Sequence, residues 1–433
     1  MSLEEQGVPT VAIHTHVFSR LARATALANG MPRTRQAFVP QPVVDLTPAE
    51  LRAYIEGTDP ISKRPFMQEV IEGLSSPLDQ EDLKGMSFER STPRLLAPAS
   101  EEELQQLFID NNWTDFLPIT LPTEERVAAM LKGTSHKPDE VVGRMRPTSF
   151  REFWEFTVEK VAVNAVMAGA RPEYFPVILA LAASGITARS SSTTSMATIS
   201  VVNGPIRKEI GMNTGIGAMG PYGHANVTIG RAFSLLSQNL QGGSVPDESY
   251  MGTLGNALVY SNCFAENEEK SPWEPLHVSK GMKASDSAVS VFSGVRYTQE
   301  GYGPREAWQD KMRRCLAAGA HFPPLLVMDP IVARLYIERG IRTKQQLIDW
   351  CAENALLPAK EYWDDMWVQT LSRPLAVAGV EPYASRLKAK PDEIVHMFEP
   401  NEINIAVVGG ETQGAWKIFG ARYAKTVSID AWR

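Results

Sequence analysis

Two neighbouring stretches decide how this chain reads. Ala188–Pro205, "ARSSSTTSMATISVVNGP", turns rich in β-formers in its second half. Asn213–Ala232, "NTGIGAMGPYGHANVTIGRA", then carries five glycines into a regular helix. Strand, glycine loop and helix in that order are the grammar of an α/β protein. Gly215, Gly217 and Gly220 let the backbone come close to a ligand and turn its amides inward. The helix expected from His224 adds the positive end of its dipole. His224, Asn226 and Arg231 put polar groups in or near its first two turns. The expected occupant is a small carboxylate or phosphate, with Arg231 offsetting its charge. The alternative is a structural loop whose glycines only permit tight packing.

Gly215-x-Gly217-x-x-Gly220 also matches a dinucleotide fingerprint as text. The context does not fit, because "NGPIRKEIGMN" separates it from the strand and no acidic residue closes a second strand about 20 residues on. No nucleotide cofactor is expected.

Strands and helices alternate on both sides of this centre. Upstream, "VPTVAIH" (Val8–His14) reads as a strand, a helix follows to Asn29, and "QAFVPQPVV" reads as a second strand. Thr47-Pro48 starts a helix as N-cap and first helical residue, Ser100 with Glu103 forms a capping box, and Thr123 and Thr148 cap two more helices. Downstream, "SAVSVFSG" (Ser287–Gly294) and "PPLLVMDP" (Pro323–Pro330) read as strands with a helix between them. Ile403–Trp432, "INIAVVGGETQGAWKIFGARYAKTVSIDAW", reads as strand, glycine turn, helix and strand. The expected fold is α/β with largely parallel sheets, flanking helices and at least two domains. The divisions are a partial βαβα unit over 1–75, a helical connector over 76–147 and a main α/β domain over 148–433.

Three further stretches carry chemistry. "YSNCFAENEEKSPWEPLHV" (Tyr260–Val278) holds Cys263, Glu266, Glu268, Glu269 and His277. In extended chain Glu266 and Glu268 share a face, and paired carboxylates serve as general acid or base. Cys263 is a nucleophile if a nearby histidine lowers its pKa, and otherwise an inert buried thiol. "IHTH" places His14 and His16 at metal-ligand spacing with no clear further ligand set. Gly409-Gly410, following an apolar strand, makes a second ligand-contacting turn or an ordinary strand-to-helix turn.

The chain has 433 residues, a net charge of −7 and three cysteines far apart. That charge, with no basic run beyond two residues, argues against a nucleic-acid binder. The sparse cysteines fit a reducing cytoplasm, and no uninterrupted apolar span points to a membrane.

"VPTVAIHTHVFSRLARATALANGMP" with "FVPQPV" resembles the second half of the UGSC-like domain of bacterial (seleno)proteins, also described as thiol-disulfide isomerase-like. "GPIRKEIGMNTGIGAMGPYGHANVTIGRA" and "FAENEEKSPWEPLHV" look like the long form of that group. The resemblance implies a strand and a Sec/Cys-Gly-Ser-Cys turn ahead of Val8, and this sequence contains no such turn. The N-terminal βα unit therefore reads as incomplete, and a separate small subunit carrying the cysteine-rich turn is expected to complete it.

The expected function is lyase or hydratase chemistry on a small polar or anionic metabolite. The catalytic candidates are Glu266, Glu268, His224, Cys263, His14 and His16. The binding candidates are Gly215, Gly217, Gly220, Asn226, Arg231, Gly409 and Gly410. A thiol-dependent redox enzyme, a metal-dependent hydrolase through His14 and His16, and a non-catalytic scaffold remain alternatives.

Overall fold

The computed structural model describes residues 8–28, 33–43, 46–77, 93–144, 155–189, 196–242, 255–256, 263–295, 298–303, 307–319 and 322–433. The fold is mixed α/β. The N-terminal unit contains β1 (Ala12–Thr15), α1 (Ser19–Ala28), β2 (Gln36–Val39), α2 (Pro48–Glu56) and α3 (Phe66–Ser75). Thr47 caps α2 with the reciprocal Glu50 box that its sequence predicts. β1 and β2 pair in parallel as a two-stranded sheet. Ala37, Val39 and Phe66 form its small core. Gly73 lets α3 close on the residue just before β1, since a Cβ there would lie 2.4 Å from Val11 Cγ2.

Next come α4 (Glu101–Asp110), α5 (Glu124–Leu131), β3 (Val141–Arg144), β4 (Glu155–Thr157), α6 (Val158–Met167) and α7 (Phe175–Ala183). The capping box at Ser100 and Glu103 and the Thr123 cap are both present. The cap expected at Thr148 lies outside the described residues, and the chain just before α6 is strand paired to β3. Phe108, Ile119, Val127 and Met130 share one apolar core with α6 and α7, so the expected connector also builds that core.

The rest of the chain supplies β5 (Ala197–Asn203), α8 (Ile206–Glu209), α9 (His224–Asn239), β6 (Cys263–Ala265), α10 (Leu276–Ser279), β7 (Ala288–Val295) and β8 (Thr298–Tyr302). After these come α11 (Trp308–Ala317), β9 (Pro324–Met328), α12 (Pro330–Glu338), α13 (Lys344–Asn354), β10 (Leu356–Pro358) and α14 (Ala359–Asp364). The chain ends with α15 (Arg373–Val377), α16 (Tyr383–Lys388), β11 (Ile394–His396), β12 (Asn404–Val407), β13 (Ala415–Gly420) and β14 (Arg422–Ser428).

Two four-stranded sheets result, ordered β14-β7-β5-β6 and β12-β9-β13-β8. Side-chain alternation sorts their faces. Ile199, Val201, Phe264, Phe292, Leu325, Val327, Ala406, Val408 and Phe419 share the core between the sheets. Val202, Val289 and Val291 join the core of α6, α7 and α9, while Leu326, Met328, Ile405, Val407 and Ile418 join that of α11, α12 and α13. The layers therefore run helices, sheet, sheet, helices.

The sheets are mixed rather than largely parallel. β5 with β6 and β9 with β12 pair in parallel; β7, β13 and β14 run antiparallel to their neighbours. The helix expected after Gly409-Gly410 is strand β13. Trp416 and Ile418 alternate with Lys417 at period two, and β13 fills the place between β9 and β8. Among the described residues no helix is long and apolar enough to cross a membrane.

Candidate active site

The C-terminal ends of β5, β6, β9 and β12 meet at one place, tied by hydrogen bonds. Asn203 ends β5, and its Nδ2 donates to Glu266 Oε2 (2.7 Å) and Glu268 Oε1 (2.9 Å) just past β6. The amide of Asn267 donates to the Val407 carbonyl (2.7 Å), and its Nδ2 to the Gly409 carbonyl (2.9 Å). The amide of Val408 donates to the Met328 carbonyl at the end of β9, and the amide of Gly409 donates 2.9 Å to the Thr214 carbonyl of the glycine loop. The three stretches singled out in the sequence, Gly215, Glu266–Glu268 and Gly409-Gly410, thus converge. Ends of parallel strands are where ligands bind in α/β sheets.

The carboxylates differ in their surroundings. Glu266 is fully buried, and its oxygens accept from Asn203 Nδ2, the amides of Leu276 (2.7 Å) and Val407 (3.1 Å), and Lys344 Nζ (3.4 Å). Glu268 takes the Gly204 amide (2.8 Å) and Arg207 Nη2 (2.7 Å). Arg207 also bridges to Glu269 (3.1 Å) and donates to the Glu266 carbonyl (2.7 Å). Its hydrogen bond, with help from Lys208, holds the Glu269 carboxyl down at about 2. Glu266 and Glu268 do come together, joined by the Asn203 amide that donates to both, and each carboxylate has its own cation, Lys344 for Glu266 and Arg207 for Glu268.

Asp329 directly follows β9 and caps α12. Oδ1 accepts from the Val332 amide (2.9 Å) and Oδ2 from the Ala415 amide (2.8 Å). Burial pushes its carboxyl above the ordinary aspartate range, with the backbone hydrogen bonds opposing. His277 is fully buried with both ring nitrogens unpartnered, and Asn203 Oδ1 is unpartnered as well.

The glycine loop is held from within. Asn226, 2% exposed, accepts from the Asn213 amide (3.0 Å) and donates to the Asn213 (2.9 Å) and Ala218 (3.1 Å) carbonyls. The Gly215 amide goes to Asn213 Oδ1, and the Gly220 amide to the Gly217 carbonyl. Gly217 has φ of 72°, the left-handed region that suits glycine. Asn226 is therefore the loop's internal brace. Gly223 leads α9 with no side-chain cap.

Arg231 is committed elsewhere. Its guanidinium grips Asp115 (2.9 and 3.0 Å) and the Pro118 carbonyl (2.9 Å). This pairing fastens α9 to the segment after α4 and leaves no free charge for an anion. His224 is exposed, with Nδ1 3.3 Å from the Tyr174 hydroxyl. Cys263 lies buried in β6, and burial pushes its thiol up to about 12. It is packing, not a ready nucleophile.

His14 and His16 sit at the end of β1 in the N-terminal unit. His14 stacks on Phe38 at 6.1 Å, and burial lowers its pKa. Among the described residues no three His, Cys, Asp or Glu side chains gather as a metal site. Sequence reading missed Asn203, Arg207, Asp329 and Lys344. The Asp329-Pro330 pair closing an apolar strand was the one local signal, an N-cap at a strand end.

No curated protein and no solved structure matches the chain. Residues 1–60 match the model of the UGSC family, which supports a UGSC-like relationship.

Proposed function

We propose that the protein is an enzyme that binds a small anionic metabolite where the Gly215 loop meets the Gly409 turn, and transforms it by general acid–base chemistry of the lyase or hydratase kind. The observation that supports this most is the meeting of two glycine segments and four acidic side chains at the ends of two parallel strand pairs. Buried charge is costly, and functional sites are where proteins retain it. The uncapped start of α9 offers amides to an anion, in place of the guanidinium of Arg231. Glu266, Glu268 and Glu269 with Arg207 and Lys344 fix the floor.

Ligand-observed NMR against short hydroxy-, keto- and phospho-acids tests this, followed by a crystal with the best binder. Density against the junction of the Gly215 loop and the Gly409 turn is the expected result. An acid that binds elsewhere, or no binder at all, removes the reading.

The two-stranded parallel sheet of β1 and β2 supports a partner subunit that extends it, because so small a sheet is marginal alone. Co-purification from native cells with a short cysteine-bearing chain is the expected outcome. A stable, active homomer would remove the partner.

A further inference from the structure

We infer that Asp329 is the catalytic acid and base of this site. The assignment rests on the function proposed above. Asp329 stands at the end of β9, 8% exposed, against the Gly409 turn. A Cβ on Gly409 would lie 4.0 Å from Asp329 Cβ and 4.0 Å from the Gly215 carbonyl oxygen, so the base of the Asp329 side chain, the turn and the glycine loop meet at one point. Gly409 has φ of 99° and no side chain to fill that point.

The other acidic groups here are bound to cations: Glu266 to Lys344, Glu268 and Glu269 to Arg207. Glu269 stays ionised at neutral pH, and Glu266 is sealed by four donors. Among the described residues Asp329 has no ion-pair partner. Arg334, one turn along α12, is engaged at 2.5 Å by Glu411, which also holds Lys270 at 2.8 Å. The Asp329 oxygens accept from the amides of Val332 (2.9 Å) and Ala415 (2.8 Å), with the Ile331 amide a third donor, and of a carboxylate's roughly four lone-pair sites one is left to spare. Burial raises the Asp329 pKa, opposed by the backbone hydrogen bonds and by the charge of Arg334, and a carboxyl so held takes up and releases a proton more readily than an exposed one.

The step balances simply. Asp329 takes the proton from the C–H bond next to the substrate's carbonyl carbon. The bonding pair stays on the substrate as an enolate while an O–H bond forms on Asp329. Return of a proton from Asp329 restores the C–H bond, and after exchange with D2O it leaves C–D.

The test is deuterium incorporation, followed by proton NMR, for wild type and Asp329→Asn with a panel of short 2-hydroxy and 2-keto carboxylic acids. Asparagine's one carbonyl oxygen keeps the α12 cap while the proton carrier is lost, although its NH2 cannot accept the Ala415 amide as Oδ2 does. The expected result is exchange in wild type that falls about 100-fold or more in Asp329→Asn, with binding retained. Should Asp329→Asn fail to fold, Asp329→Ser, another good cap, carries the same comparison. A folded variant exchanging as fast as wild type overturns the role of Asp329 and leaves the binding site standing. A wild type that binds none of the acids, or exchanges none, takes down the acid–base reading and this assignment with it.

Discussion

Lys344 Nζ lies 3.4 Å from Glu266 Oε1, and their side chains are 2% and 0% exposed. A buried charge that loses its partner is left in a medium that solvates it poorly. Lys344→Met should therefore cost about 3–5 kcal/mol in chemical denaturation. The double variant with Glu266→Gln should recover part of that loss, because no lone charge remains. Single and double variants that all unfold within about 0.5 kcal/mol of wild type would show that the pair carries no stability.

Cys263 tests the thiol alternative. Desolvation raises its pKa to about 12, slightly opposed by a hydrogen bond to Ser200. At pH 8 almost no thiolate forms, so a thiol reagent should modify Cys263 only as fast as the fold opens, and Cys263→Ala should keep any activity found. Rapid labelling of the native protein at this position would bring the redox reading back.

These outcomes depend on how much of the site is local in sequence. The glycine loop feeding α9 was legible, since Gly223 and the apolar spacing after His224 fix the helix start within one segment. The two-residue spacing of Glu266 and Glu268 put them near each other, but not as neighbours on one strand face: Glu268 lies in a turn past β6, and the two share Asn203. What each side chain bonds to was not legible. Lys344 reaches Glu266 across 78 positions, and Asp115 claims Arg231 across 116. A helical arginine near a glycine loop looks the same in sequence whether it faces an anion or a buried aspartate. The strand β13 was misread for the same reason: the helix-compatible run from Ala415 is overridden by strands on both sides.

The C-terminus gives a pH prediction. His136 Nδ1 lies 2.9 Å from the Glu140 carboxylate, and Nε2 lies 2.8 Å from the Ala431 carbonyl. The Glu140 hydrogen bond raises the histidine pKa above its ordinary 6.5, with burial opposing. The fold therefore favours the protonated ring. That stabilisation is fully present below about pH 6.5 and is lost as pH rises through the raised folded value. Wild type should lose more melting temperature than His136→Gln between pH 5.5 and 8.5. Equal losses in both would show that His136 does not tie down the C-terminus.

Gly410 is the sharpest probe of the site's geometry. A Cβ there would lie 2.3 Å from Ile216 Cγ1, 2.9 Å from the Ile216 nitrogen and 3.1 Å from its Cα. The side-chain clash could be relieved by rotation, but the backbone clash requires the loop itself to move. Gly410→Ala should therefore pull the Gly215 loop away from the turn and break the Gly409 to Thr214 hydrogen bond. Its cost to global stability should stay within the 1–3 kcal/mol typical of overpacking, because the displaced loop is partly exposed. Anion affinity should fall at least tenfold, and protease cutting near Ile216 should rise. If Gly410→Ala binds the same acid as tightly as wild type, the ligand does not sit against the junction of these two segments.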